Sequence, residues 1–228
     1  MPSDDELLDN PAYAALSGPD APFAQRSGRA LRYRPDVAPF MALPPDAMPA
    51  DWRDAAALIG PGGGAGLVHD GAPLPDGWTA IRGLRVVQMA GENTAGAEDD
   101  EATPLGLADV PDVLALVEAT NPGPFLPCTI ELGGYLGIRR DGELIAMAGE
   151  RMHLPGWTEV SAVCTSPEHR GQGLASRLTS AVVAGIRRRS ARPFLHALPS
   201  NAGAIRLYET LGFRLRRELT ITVAAPAE

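Results

Sequence analysis

The chain of 228 residues has no lysine; its twenty basic residues are all arginine. A phosphate loop of the Gly-Lys-Ser/Thr type is therefore excluded outright. Cysteine is almost as scarce. Cys128 and Cys164 are the only two, too few and too far apart for a metal site or a disulfide framework. His69, His153 and His169 have no metal-like spacing either, so no metal is expected. Aromatics make up 5% of the chain, and no apolar run is long enough to span a bilayer. The opening residues Met1-Pro2-Ser3-Asp4-Asp5-Glu6 do not read as a signal peptide, which makes the cytoplasm the expected compartment. A basic surface is also missing. Twenty-eight acids give a net charge of −8, and the run Arg187-Arg188-Arg189 reads as a solvated helix end rather than a nucleic-acid contact.

What the chain does have is glycine and arginine at one telling place. The run Trp157–Thr165 is rich in strand-forming residues and stops at Pro167, and a helical pattern begins near Gly171. Between them lies Arg170-Gly171-Gln172-Gly173-Leu174-Ala175. Bare N–H groups at a helix start, glycines that allow close approach and a guanidinium together make an anion site. The dinucleotide pattern G-x-G-x-x-G fails, because Ser176 stands where its third glycine belongs.

The segment Val163–Ala175 instead resembles the pyrophosphate loop V-x-P-x-x-R-G-x-G-x-A/G of the GNAT acyltransferase superfamily. Downstream, Asn201–Phe213 (NAGAIRLYETLGF) is similar to that superfamily's N-x-x-A-x-x-L-Y-x-x-L-G-F element. The resemblance covers residues 103–223 and implies an α/β (α+β) fold, a mixed, mostly antiparallel sheet flanked by helices. The elements read in its order. A strand at Thr103–Leu107 precedes a helix capped by Asp109, and a short helix follows near Ile130–Tyr135. A hairpin then turns at Asp141-Gly142, followed by strand Trp157–Thr165, the long helix, a strand at Pro193–Leu198, a helix capped by Asn201, and Phe213–Val223 closing the sheet.

Residues 1–90 read as a smaller α+β domain. Helices are expected at Asn10–Leu16 and, capped by Asp51, at Asp51–Ile59, with strands at Ala65–Asp70, Trp78–Arg82 and Leu84–Ala90. The glycine run from Gly60 to Gly66 reads as a flexible turn. Residues 91–102 (GENTAGAEDDEA) are acidic, lack apolar periodicity and read as a linker to a domain spanning 103–228. That arrangement is similar to the glycine N-acyltransferase-like branch, whose first half is a degenerate copy of the same fold.

The resemblance implies acetyl-CoA as co-substrate and a small-molecule or peptide amine as acceptor, with no nucleic acid and no membrane as partner; pairing of two protomers is left open. It places Val163, Cys164 and Thr165 along the pantetheine arm. Arg170, Gly171, Gln172, Gly173, Leu174, Ala175 and Ser176 fall around the pyrophosphate, with Asn201 and Tyr208 nearby. Cys164 reads as packing, since no motif supplies a cation to activate it. Direct attack of an amine on a thioester needs a base for the amine and an acid for the thiolate. Tyr208 matches the motif tyrosine that stands near the sulfur. Glu159, on one strand face with Ser161 and Val163, and His196, five residues before Asn201, compete as base. Phe125, Glu131, Tyr135 and Glu150 are the candidate acceptor contacts. The activity expected is N-acetyl transfer. One rival is a catalytically silent acyl-CoA-binding regulatory module; another is a partner-binding scaffold built by the first domain.

Overall fold

A computed structural model describes residues 3–227. The first part of the chain contains α1 (Asp4–Asp9), α2 (Pro11–Leu16), β1 (Ala24–Ser27), β2 (Ala30–Tyr33), β3 (Met41–Ala42), α3 (Pro49–Ile59), β4 (Ala65–His69) and β5 (Trp78–Ala90). Then come β6 (Thr103–Leu105), α4 (Val110–Thr120), β7 (Tyr135–Arg140), β8 (Glu143–Leu154) and β9 (Trp157–Thr165). The chain ends with α5 (Leu174–Arg188), β10 (Arg192–Ala197), α6 (Ala202–Thr210) and β11 (Arg214–Pro226).

Local chemistry sets most of these boundaries. Asn10 caps α2 by accepting from Tyr13 N, and Asn201 caps α6 by accepting from Ala204 N. Asp141 and Gly142, at φ 50° and 86°, make the tight turn between β7 and β8. Two expected caps differ. α3 begins at Pro49, so Asp51 sits in its first turn and accepts from Met48 N at 2.7 Å. Asp109 accepts from Gly106 N and pairs with Arg139 rather than capping α4. The turn expected near Ile130–Tyr135 is a 3-10 turn over Thr129–Leu132, which leaves Tyr135 to open β7. The two strands expected on either side of Gly83 are a single strand, β5.

Eight strands form one mixed sheet in the order β4-β11-β5-β10-β9-β8-β7-β6, and β1-β2-β3 form a small separate sheet. β11 therefore does not lie against β10. β5, drawn from before residue 91, takes that place, pairing Gln88 with His196 on one side and with Arg217 on the other. One face of the sheet packs on α5, whose Leu174, Leu178, Val182 and Ile186 meet Val87, Met89, Val160 and Leu195. Each such side chain contributes roughly 1.5–3 kcal/mol by burial. The other face is covered at one end by α4, through Val113 and Leu116, and at the other by α1 and α2, through Leu8 and Leu16.

The acidic stretch read as a linker lies against α5 and links β5 to β6 at the far edge. Arg177 pairs with Asp99 and Glu101 at 2.6 Å, and Arg187 donates to the Thr94 carbonyl at 2.8 Å. Gly96 lies so close to the helix that a Cβ there would come within 2.4 Å of Ala184 N. The arginine run ends the helix with Arg188 and Arg189 exposed, as expected, and each also finds an acid: Arg187 holds this stretch, Arg188 meets Glu98, and Arg189 meets Glu150.

Candidate functional site

β9 and β10 form a parallel pair, joined only at Trp157–Glu159 and Arg192–Phe194. Beyond those residues they separate. From Ser161 to Thr165, β9 has ladder partners on its β8 side alone, with Cys164 opposite Met147 and Thr165 opposite Ala146. A bulge at Ala162, held at φ 54°, places two β9 residues opposite Ala148 and turns the strand at the mouth of the fork. The resulting gap is bordered by half-buried Val163, which has no ladder partner among the described residues, and Thr165, whose carbonyl accepts from Arg170 Nε at 3.4 Å. Thr165 Oγ1 is buried and has no partner among the described residues.

The glycine loop stands at the end of this gap. A 3-10 turn over Pro167–His169 leads into Arg170, and Gly171 and Gly173 adopt φ 78° and 75°, where a side chain would be strained. Space beyond both is open: a Cβ on either would meet nothing within 4 Å. No side chain among the described residues caps α5, and its first carbonyl bond runs from Arg177 N to Gly173 O. The N–H groups of Leu174, Ala175 and Ser176 therefore stand at the positive end of a fifteen-residue helix. Arg170 and Gln172 are exposed beside them. These residues fit an acyl-CoA: a long polar arm in the fork, with its phosphates on the loop.

At the root of the fork lies a buried polar chain. Glu159, from β9, is 1% exposed and accepts two bonds from Arg151 of β8, at 2.8 Å from Nε and 2.7 Å from NH2. His196 Nδ1 lies 2.8 Å from Glu159 Oε1, so the two base candidates form one dyad. Burial alone would raise the Glu159 carboxyl, but the Arg151 charge and the His196 contact outweigh it and hold it near 2. Sequence reading missed Arg151. The available signal was an arginine inside the otherwise apolar run of β8, where a buried guanidinium needs an acid.

The other candidates divide. Tyr208 is buried, with its ring edge-on to Phe213 at 6.0 Å, and burial with the nearby Cys164 pushes its phenol to about 12. Cys164 is itself buried and pushed to about 11, an inert packing thiol. Phe125 and Tyr135 stack edge to face at 5.3 Å, and the Tyr135 ring lies over Gly149, where a Cβ would fall 2.1 Å from the ring. The Tyr135 hydroxyl is buried with no partner among the described residues. Glu150 is buried and tied to His153 at 3.0 Å and Arg189 at 2.6 Å, in a cluster that continues through His153 to Asp20 and Tyr33. Glu131 is exposed and pairs with Arg34. Asn201 is occupied in capping α6. No group of three or more potential metal ligands occurs among the described residues.

This architecture is matched in full elsewhere. A crystal structure from the GNAT family of Novosphingobium aromaticivorans DSM 12444 is 41% identical, covers 97% of this chain and 99% of its own, and superposes with a TM-score of 0.89. The chain belongs to the GNAT family. The family model for FR47-like protein matches residues 135–221, which hold the fork, the loop and the dyad. A GCN5-related N-acetyltransferase from Kribbella flavida shares the fold at 20% identity and a TM-score of 0.61, covering 95% of this chain and 96% of its own. A GNAT-family acetyltransferase of Colwellia psychrerythraea does so at 12% and 0.53, covering 98% and 97%. No curated protein matches the chain. GNAT membership supports acyl transfer from an acyl-CoA, and no helix among the described residues is long and apolar enough to cross a membrane.

Proposed function

We propose that the protein is an N-acetyltransferase that moves the acetyl group of acetyl-CoA directly to a primary amine. The fork carries this reading: β9 and β10 part just beyond Glu159, with the glycine loop at the open end and the dyad at the root. Acetyl-CoA supplies the activated thioester. The loop N–H groups and Arg170 hold its phosphates, and the backbone of Val163 and Thr165 aligns the arm. As the amine nitrogen bonds to the thioester carbon and the carbon–sulfur bond breaks, the ammonium proton passes to His196 Nε2, which leaves its contact with Gln88 to accept it. Glu159 stays ionised and stabilises the imidazolium of His196. Tyr208, which holds its proton at neutral pH, gives it to the departing sulfur.

The acceptor side is roofed by the N-terminal region. Phe40 lies over the Arg151 guanidinium at 5.0 Å, and α1 and α2 cover the face on which Glu159 and His196 lie. Two free cysteines, one of them buried, suit a reducing cytoplasm.

One observation favours the rival reading of a silent acyl-CoA-binding module: both His196 nitrogens are engaged, Nε2 lying 3.1 Å from Gln88 Nε2. Thiol release from acetyl-CoA with a panel of amino acids, polyamines and peptide N-termini separates the two. Amine-dependent release that falls in Glu159→Gln and His196→Ala supports the enzyme. Tight acetyl-CoA binding with no release from any amine supports the module.

A further inference from the structure

We infer that Gln88, anchored by the Leu8 carbonyl of α1, is a positioning residue that fixes His196 as its Nδ1–H tautomer and occupies its Nε2 lone pair, so that the N-terminal segment governs when the ring can take a proton. The inference deepens the role of His196 proposed above and rests on that reading for its functional consequence.

The donors and acceptors leave one arrangement. Arg216 NH1 lies 2.9 Å from Gln88 Oε1, and a guanidinium only donates. Gln88 Nε2 lies 2.8 Å from the Leu8 carbonyl, which only accepts. The amide orientation follows without ambiguity, and its NH2 also faces His196 Nε2 at 3.1 Å. That nitrogen must accept, so the ring proton resides on Nδ1, where it donates to Glu159 Oε1 at 2.8 Å. Gln88 is fully buried, so these protein groups are its partners.

The backbone sets this up. Gln88 stands opposite His196 in the β5–β10 ladder. The β5–β11 ladder slips between Leu215 and Arg217, leaving Arg216 as the extra residue of a bulge from which its side chain reaches Gln88. Arg216 in turn pairs with Asp9 at 2.6 Å, so both ends of the Gln88 amide are tied to residues at the end of α1. The charged and titratable groups around the ring are Glu159 from β9, with Arg151 behind it on β8 and Tyr33 beyond, and Arg216 from β11 with Asp9 behind it. The Phe194 ring edge at 5.7 Å completes the enclosure. Neither Leu8 nor Gln88 lies in the segment matched by the FR47-like family model.

The test is long-range proton–nitrogen correlation NMR on histidine-labelled full-length protein, whose four histidines give a simple spectrum. His196→Asn assigns the signal. In wild type at pH 7 the His196 signal should show a protonated Nδ1 and an unprotonated Nε2. In the isosteric Gln88→Glu, a carboxylate beside Nε2 should draw a second proton, giving an imidazolium at pH 7 and moving the acidic limb of the kcat/KM profile upward. A wild-type signal with the proton on Nε2 overturns the inference, as does a Gln88→Glu ring that stays neutral. The NMR result needs no turnover. If the tautomer is as stated and no amine is acetylated, the acyltransferase reading fails while the positioning holds.

Discussion

The two ends of the fork are built on opposite principles. At the open end, Arg170–Ser176 is a short, solvent-facing loop whose binding groups are backbone N–H donors and one exposed guanidinium. At the root, Arg151, Glu159, His196 and Gln88 form a buried side-chain chain contributed by four different strands. Neighbours in sequence make the first, whereas the second joins residues from 8 to 108 positions apart. The loop can therefore be altered at small cost to the fold. The root cannot, because each member satisfies a buried polar partner.

The largest effect that follows is on stability. Arg151→Met leaves Glu159 buried without its guanidinium, with His196 as its remaining partner, and should cost about 3–5 kcal/mol in urea unfolding, whereas Arg170→Ala, on the surface, should stay within about 0.5 kcal/mol. If the two variants unfold alike, the root is not the interior ion pair described here. Next in size is catalysis. Glu159→Gln should lower turnover about 10²-fold or more through loss of the anion behind His196, with acetyl-CoA affinity nearly unchanged.

That contrast also explains how much could be read in advance. The loop, α5 and the α6 motif were legible because their information is local: two glycines, an uncapped helix start, an asparagine cap. Glu159 and His196 were both visible as candidates, yet nothing in the linear order says that they touch. The pairing arises because β9 and β10 meet at Glu159 and Phe194 before separating. Gln88 was out of reach for a related reason. A strand from before residue 91 lies between β10 and β11, a placement no periodicity within residues 103–228 can reveal. Nothing in the acidic stretch at 91–102 announces that Asp99 and Glu101 pair with Arg177 of α5, because those contacts join residues some eighty positions apart.

A smaller effect concerns His153, which ties the N-terminal Asp20 to Glu150 beside the root. Burial disfavours its charged ring, but the two carboxylates outweigh this and raise it to about 9. Its contribution is thus complete below the ordinary histidine value of 6.5 and is lost as pH rises through 9. Urea unfolding at a series of pH values should show a decline on the order of 2–3 kcal/mol across that window, absent in His153→Gln. A pH-independent wild type would place His153 outside this cluster. The smallest expected effect lies in the loop: Gly173→Ala, at φ 75°, should cost about 1 kcal/mol of stability while weakening CoA binding by misaligning the helix start.

The division of labour between loop and root is tested most directly by calorimetric titration of acetyl-CoA into wild type, Arg170→Ala and Glu159→Gln. The account predicts micromolar binding to wild type and Glu159→Gln alike, and binding weakened about tenfold or more in Arg170→Ala. Equal binding to wild type and Arg170→Ala, or no binding to any of the three, would contradict it.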